Sequence, residues 1–233
     1  MTEALETDFK SAKLAYGVTS NSFLLSLGFM PAVASATVHT AEIFTTLASG
    51  LSHLKLGNVD KKLFASLALP GSVTAVLGAY ILVNFPTGMI RNLVAVYLLL
   101  MGGVIVLRAF GKNVFFRKVN TKALAGVGGL LDAIGGGGWG PIVTSTLIAN
   151  GVDPKKAIGS VNLSEFFVTL TQSATFFLLM GLTNPEVILA LIIGGVAAAP
   201  LAAYMCKKVQ TKTLMIVVGI LIIALNLRTL VMA

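Results

Sequence analysis

ATVHTAEIFTTL (36–47) reads in register against GSVNLSEFFVTL (159–170), with Val, Glu, Phe, Thr and Leu identical at an offset of 123 residues. The same gapless offset pairs Gly17 with Gly140, Ser22 with Ser145, Leu24 with Leu147 and Gly28 with Gly151. It also pairs Pro31 with Pro154, Gly71 with Gly194 and Ala75 with Ala198. Apolar chains align by chance at aliphatic positions, so the glycines, prolines, serines and glutamates carry the repeat. Glu42 and Glu165 each fall near the middle of an apolar stretch long enough to cross a bilayer. A carboxylate in hydrocarbon is costly, and intramembrane acids therefore face a bundle interior or a water-filled cavity. Two such acids placed by an internal repeat point to a symmetric site near the membrane midplane, as in secondary transporters.

The composition excludes most alternatives. Hydrophobic residues make up 56% of the chain, charged residues 11%, and the mean hydropathy is +0.90. A soluble domain carries roughly a quarter charged residues. This chain cannot cover a globular surface with so few, and it reads as an integral membrane protein. The net charge of +8 does not indicate nucleic acid, because the basic residues cluster in short loops between apolar runs. The single Cys206 excludes an internal disulfide and a cysteine metal cluster, and reads as a small apolar filler. MTEALETDFKSAK (1–13) holds Glu3, Glu6 and Asp8, which makes neither a signal peptide nor a spanning helix.

Six stretches, 32–52, 63–84, 89–108, 157–180, 187–205 and 213–231, are long and apolar enough to cross hydrocarbon. Two more, 14–28 and 123–150, are apolar but interrupted by glycine. Loops 53–62, 109–122 and 206–212 gather most of the lysines and arginines, while loops 85–88 and 181–186 hold none, which places the basic loops in the cytoplasm. Segment 123–150 begins inside at Lys122 and must end inside, next to Lys155 and Lys156. It is therefore expected to enter the membrane and return, turning at Gly135–Gly138. Segment 14–28 is expected to be the second limb of a partner hairpin entered from outside. One hairpin and three spans per copy make an odd number of crossings, which inverts the second copy relative to the first.

Along 32–52, Ser35, His39, Glu42, Thr46, Ser49 and His53 recur at alternating steps of four and three, on one helical face. Asn162, Glu165, Thr169 and Gln172 occupy the equivalent face of the repeat mate. Such stripes glue helices together at about 0.6–2 kcal/mol per contact. Serine and threonine suit that role as well as a functional one, whereas a carboxylate is a poor packing residue and a candidate proton carrier. Asp132 precedes IGGGGWGP (134–141), where glycine permits a tight reversal and proline opens the returning limb. Helix starts at Trp139 and at the matching Tyr16 would direct N–H groups toward the membrane centre, an anion-binding arrangement. A phosphate-binding loop is excluded because no Lys-Ser or Lys-Thr follows the glycines. No zincin, serine-hydrolase or paired-aspartate pattern is present, and His39 and His53 are the only histidines. An enzyme, a metal site and a bound cofactor are therefore not expected.

GGGGWGPIVTS (135–145), GSVNLSE (159–165), ATVHTAE (36–42), SHLKLGNVD (52–60) and AAAPLAAY (197–204) together resemble the sulfite exporter TauE/SafE family of bacterial membrane proteins. The resemblance extends over nearly the whole chain from Tyr16 onward. It implies an all-α plasma-membrane transporter of small anions such as sulfite or organosulfonates, working in the lipid bilayer. The halves would be 1–110 and 123–233, joined by a basic cytoplasmic linker, 111–122. TDFKSAKLA (7–15) stands where the family carries an apolar helix, so the first hairpin is expected to lack a full first limb. The anion would sit at the limb starts, at Tyr16, Gly17, Gly138, Trp139 and Gly140, assisted by Thr37, His39, Ser160 and Asn162. Glu42 and Glu165 would couple a proton or another cation. A passive anion channel or a non-transporting membrane scaffold are the readings from other classes.

Overall fold

The computed structural model describes residues 16–111, 119–195 and 211–231. The AAAPLAAY segment, Cys206, Lys207, Lys208, the acidic start of the chain and linker positions 112–118 lie outside the described residues. In chain order the helices are α1 (Tyr16–Ser26), α2 (Pro31–Lys55), α3 (Lys61–Asn84), α4 (Thr87–Ala109) and α5 (Thr121–Gly135). A π-helical turn, Gly140–Thr144, runs directly into α6 (Ser145–Ala149). Helices α7 (Pro154–Met180), α8 (Pro185–Gly195) and α9 (Thr211–Val231) follow.

Three helical stretches are long and apolar enough to cross a membrane: Lys61–Asn84, Met89–Ala109 and Lys155–Met180. Their apolar surface points outward, with Leu69, Val73 and Leu77 exposed on α3 and Leu93, Val96 and Leu100 on α4. The interior is comparatively polar: Asn21, Ser22, Ser35, Thr37, His39, Ser160, Thr169 and Gln172 are fully buried. α2 is just as long, at 25 residues, but its buried polar stripe dilutes its hydropathy. Helices in lipid gain little by burying leucine against leucine, so close backbone approach through small residues dominates their packing. α3 and α5 meet this way, since a methyl group added at Gly129 would lie 2.8 Å from Thr74 Oγ1 and 2.9 Å from the Gly71 carbonyl carbon. α4 and α9 meet through Gly102 and Gly219, each with an added Cβ about 3 Å from the other's carbonyl oxygen (3.0 and 2.9 Å).

Segment 119–152 is a hairpin. Asn120 caps α5 by accepting from Lys122 N and Ala123 N, and Gly136, at φ +63°, closes its far end in the left-handed region. The chain then comes back through the π-helical turn and α6. The two ends meet where Val119 N donates to Asn150 Oδ1 at 3.3 Å, and they line an open cavity of about 470 Å³. The limb of 15 residues going in is only about 22 Å long, too short to cross a bilayer.

The α2–α3 loop docks at the same end, against the start of α7. Ser160 Oγ accepts from Asp60 N at 2.9 Å and lies 3.2 Å from Asp60 O, to which it donates. Lys156 Nζ donates to Gly57 O at 2.7 Å. Lys55, Lys61, Lys62, Lys122, Lys155 and Lys156 therefore gather at one end of the protein, the grouping expected of a cytoplasmic face. Asp60 also caps α3, its Oδ1 accepting from Lys62 N at 2.8 Å and Leu63 N at 3.0 Å. The Leu63 N–H holds the Asp60 carboxyl below its ordinary range, with help from the Lys62 N–H and the nearby lysines. Asp60→Ala should cost about 1 kcal/mol by loss of the cap, read as a lower melting temperature, and Asp60→Asn should cost much less. Because the folded state lowers this carboxyl, its contribution is complete above roughly pH 5 and fades as pH falls through the lowered value. Asp60→Ala should lose that part of the acid sensitivity.

Candidate functional site

The last turn of α5 leaves carbonyl groups without helical partners, and the glycine turn beyond it adds more. Side chains from three other helices supply the missing donors. Ser35 Oγ of α2 donates to Ala133 O at 2.7 Å. Asn21 Nδ2 of α1 donates to Gly135 O at 2.6 Å, and Tyr97 Oη of α4 donates to Gly137 O at 3.2 Å. His39 Nε2 of α2 lies 3.1 Å from Asp132 O, which also accepts from the N–H groups of Gly136 and Gly137.

The Asp132 carboxylate ties the hairpin together. Oδ1 accepts from Trp139 N at 2.8 Å, linking the end of α5 to the start of the returning limb. Oδ2 accepts from Gln172 Nε2 of α7 at 2.9 Å and lies 3.9 Å from His39 Nδ1. Trp139, fully buried, donates from Nε1 to Val161 O of α7 at 3.3 Å and packs its ring against Gly71 of α3.

His39 and Glu42, one turn apart on α2, approach to 3.0 Å between Nδ1 and Oε2. The chemistry of the other ring nitrogen restricts this pair. A backbone carbonyl can only accept, so Nε2 must carry a proton to bond Asp132 O. The Nδ1···Oε2 bond then needs a proton from either the imidazolium or the carboxylic acid. Glu42 also lies beside the start of α1, where a Cβ at Gly17 would come 2.6 Å from Oε1 and 3.1 Å from Gly137 Cα. The starts of the two limbs, Gly17–Val18 and Gly137–Trp139, thus cross in backbone contact next to a histidine and two acids.

Gly17, His39, Glu42, Gly138 and Trp139 are brought to this crossing together with Tyr16, whose hydroxyl donates to Leu191 O at 3.1 Å. Gly140 opens the π-helical turn immediately behind it. Thr37 turns its hydroxyl back to Val33 O at 2.7 Å, within its own helix. Ser160 belongs to the Asp60 docking contact, away from the crossing. Asn162 is buried and Glu165 half-buried on the same face of α7. The Trp139 amide, expected to face an anion, is held by the internal carboxylate of Asp132. Asp132, Gln172, Asn21 and Tyr97 stood outside the expected site. Asp132 has one visible sequence signal, a charged residue one turn before a glycine run inside an apolar segment.

Comparison with known proteins now decides the family. The sulfite exporter TauE/SafE pattern matches residues 14–229. This chain belongs to the TauE/SafE family. This chain is similar to a protein from Bacillus subtilis (strain 168) named "Probable membrane transporter protein YtnM". It is 40% identical over 232 residues, an alignment covering 95% of this chain and 77% of that one. No solved structure matches the chain. This TauE/SafE protein is thus a membrane protein of a transporter family.

Gly137→Ala tests the crossing. The residue sits at φ +145°, and an added methyl would meet the backbone of Gly17 and Val18. Neither backbone can move aside cheaply, so the variant should lose at least about 2 kcal/mol of stability, measured as a lower melting temperature in detergent. Gly103→Ala, with open space around it, should stay close to wild type.

Proposed function

We propose that this TauE/SafE protein moves small oxyanions of sulfur, sulfite or simple organosulfonates, across the plasma membrane. The observation that carries the reading is the backbone contact of α1, at Gly17–Val18, with the turn Gly137–Trp139, beside the buried His39–Glu42 pair. Residues 1–110 and 123–233 form two inverted halves joined by the basic linker, with the substrate between their hairpins. Backbone N–H groups at Tyr16, Gly17, Gly138 and Gly140, with His39 beside the crossing and Asn162 buried on α7, provide polarity suited to an oxyanion. Thr37 and Ser160 stay outside this binding set, because their hydroxyls are engaged elsewhere. The sulfur oxyanion is favoured by the name of the family.

Glu42 and Glu165 couple the anion to a proton. The bond between His39 and Glu42 survives either position of its proton but not the loss of that proton, so the geometry of the pair is tied to its protonation. An anion arriving beside Glu42 is opposed by an ionised carboxylate and favoured by a protonated one. Binding of the anion and of the proton are thereby linked, each raising the other's affinity by the same factor.

Uptake of labelled sulfite into proteoliposomes tests the function. One coupling proton makes flux change by up to about tenfold per pH unit, rising toward acid pH. Glu42→Gln keeps the side-chain size and a bond to His39, and should flatten that pH profile while the protein remains folded. Glu165→Gln should flatten it as well, by a smaller factor because Glu165 is only half-buried. Flux with an unchanged pH profile in both variants would assign the glutamates to packing alone. Cysteine labelling in a Cys206→Ala background should find positions 155 and 156 on the cytoplasmic face with the loop around Lys118, and position 184 outside. External labelling at 155 would mean that segment 123–150 crosses the bilayer completely.

A further inference from the structure

Two glycines of the turn make room for one side chain. A methyl group added at Gly135 would strike the Tyr97 ring, 2.6 Å from Cδ1, and one added at Gly138 would strike the Tyr97 hydroxyl. The ring of this half-buried α4 residue therefore lies along the turn from its first glycine to its last, with Oη against the start of the returning limb. Oη donates to Gly137 O at 3.2 Å. Asn21, Ser35 and His39 hold their carbonyls of the same turn at 2.6, 2.7 and 3.1 Å. A hydroxyl donor usually stands about 2.7–2.8 Å from its acceptor, so the Tyr97 bond is the loosest of the four.

The limb start has few donors left for an anion. Trp139 N is held by Asp132 and Pro141 has no N–H, which leaves the N–H groups of Gly138 and Gly140. An oxyanion with three oxygens leaves more hydrogen bonds behind in water than two amides replace. Most side-chain donors nearby are committed. Asn21 and Ser35 hold carbonyls at short distance, Gln172 holds Asp132 Oδ2, His39 bridges Asp132 O and Glu42, and Tyr16 directs its hydroxyl to α8. Tyr97 combines a loose bond with a place against Gly138. Rotation about its phenolic C–O bond redirects the proton without moving the ring. A hydrogen bond to an ionised acceptor is about twice as strong as a neutral one, so the exchange favours the anion.

We propose that the Tyr97 hydroxyl is an anion ligand, donating to an oxyanion held at the N–H groups of Gly138 and Gly140. The inference rests on the transport reading given above and adds to it a side chain that selects the class of ligand. A phenol contributes a donor without a charge, on a ring fixed by the glycine turn. It suits a small oxyanion with two or more acceptor oxygens, one on the limb start and one on Oη. The offset of 123 residues carries Tyr97 to Ile220, which has no donor. The hydroxyl ligand is therefore single, and the limb starting at Tyr16 has no counterpart to it.

Trp139 is the chain's only tryptophan and stands between Gly138 and Gly140, so its fluorescence in the purified full-length protein reports an anion there without any flux. Sulfite, methanesulfonate, nitrate and acetate are titrated in turn, and the melting temperature is recorded alongside. In Tyr97→Phe, which keeps the ring against Gly135, the dissociation constant for sulfite should rise at least about tenfold. A folded variant that binds every anion as tightly as wild type overturns the proposal. A lower melting temperature with unchanged affinity does the same, and assigns the hydroxyl to holding Gly137 alone. If Tyr97→Phe does not fold, protein with isotope-labelled tyrosine in a Tyr16→Phe background decides. The anion that wild type binds should shift the phenolic C–O stretching band, and saturation without a shift overturns the proposal. The two readings separate in the same titrations. Sulfite bound equally by wild type and Tyr97→Phe keeps the sulfite reading and removes the hydroxyl ligand. Nitrate or acetate bound in a Tyr97-dependent way, with no response to sulfite or methanesulfonate, keeps the ligand and removes the sulfur oxyanion. No response to any of the four removes both.

Discussion

A polypeptide that turns back inside a bundle exposes backbone groups that lipid cannot hydrogen-bond, and the protein must satisfy them itself. The turn after α5 imposes this constraint on nearly everything around it. Ala133, Gly135 and Gly137 carbonyls draw in Ser35, Asn21 and Tyr97, and the Asp132 carbonyl draws in His39. These donors come from α1, α2 and α4, so three helices are oriented by one turn. The Asp132 carboxylate adds α7 through Gln172 and closes the turn on itself through Trp139 N.

The same bonds position the chemistry. His39 is held by a carbonyl at Nε2, so its other nitrogen is committed to Glu42. A histidine with both nitrogens engaged cannot rotate away, and two acids, Glu42 and Asp132, approach its Nδ1 to 3.0 and 3.9 Å. Glycine at position 17 allows Glu42 to lie against the backbone of α1, and glycine at 137 allows the two limbs to cross. The packing requirement and the functional arrangement are met by the same residues, which is why serine, histidine and tyrosine here act as satisfiers of the backbone and as lining of the site.

Much of this was legible in the residue order. The steps of four and three through Ser35, His39, Glu42 and Thr46 fix the buried face of α2, because the helical period leaves no other surface for polar groups in lipid. The hairpin followed from the glycine run together with the charge at Lys122, Lys155 and Lys156. Bonding partners were not legible, since periodicity gives a face and not what the face meets. Ser160 read as a site residue because it stands in register with Thr37, but the docked loop at Asp60 claims its hydroxyl. Asp132 escaped for a different reason. The offset of 123 residues carries it to Phe9, so the repeat supplies no acidic mate to draw attention to it.

That lack of a mate shapes the whole centre. The two halves repeat in backbone-shaping residues, glycine for glycine and proline for proline, but they differ in the groups that carry charge. His39 stands where the other half has Asn162, and Asn21 where the other has Thr144. One half contributes the histidine–glutamate pair, and the other contributes the hairpin with its aspartate. Only Glu42 and Glu165 are duplicated among the buried or half-buried acids, and they differ in exposure. A repeated sequence frame with unlike charges leaves the two glutamates in unlike surroundings. The repeat is thus one of backbone-shaping residues, while the titratable groups around the crossing come unequally from its two copies.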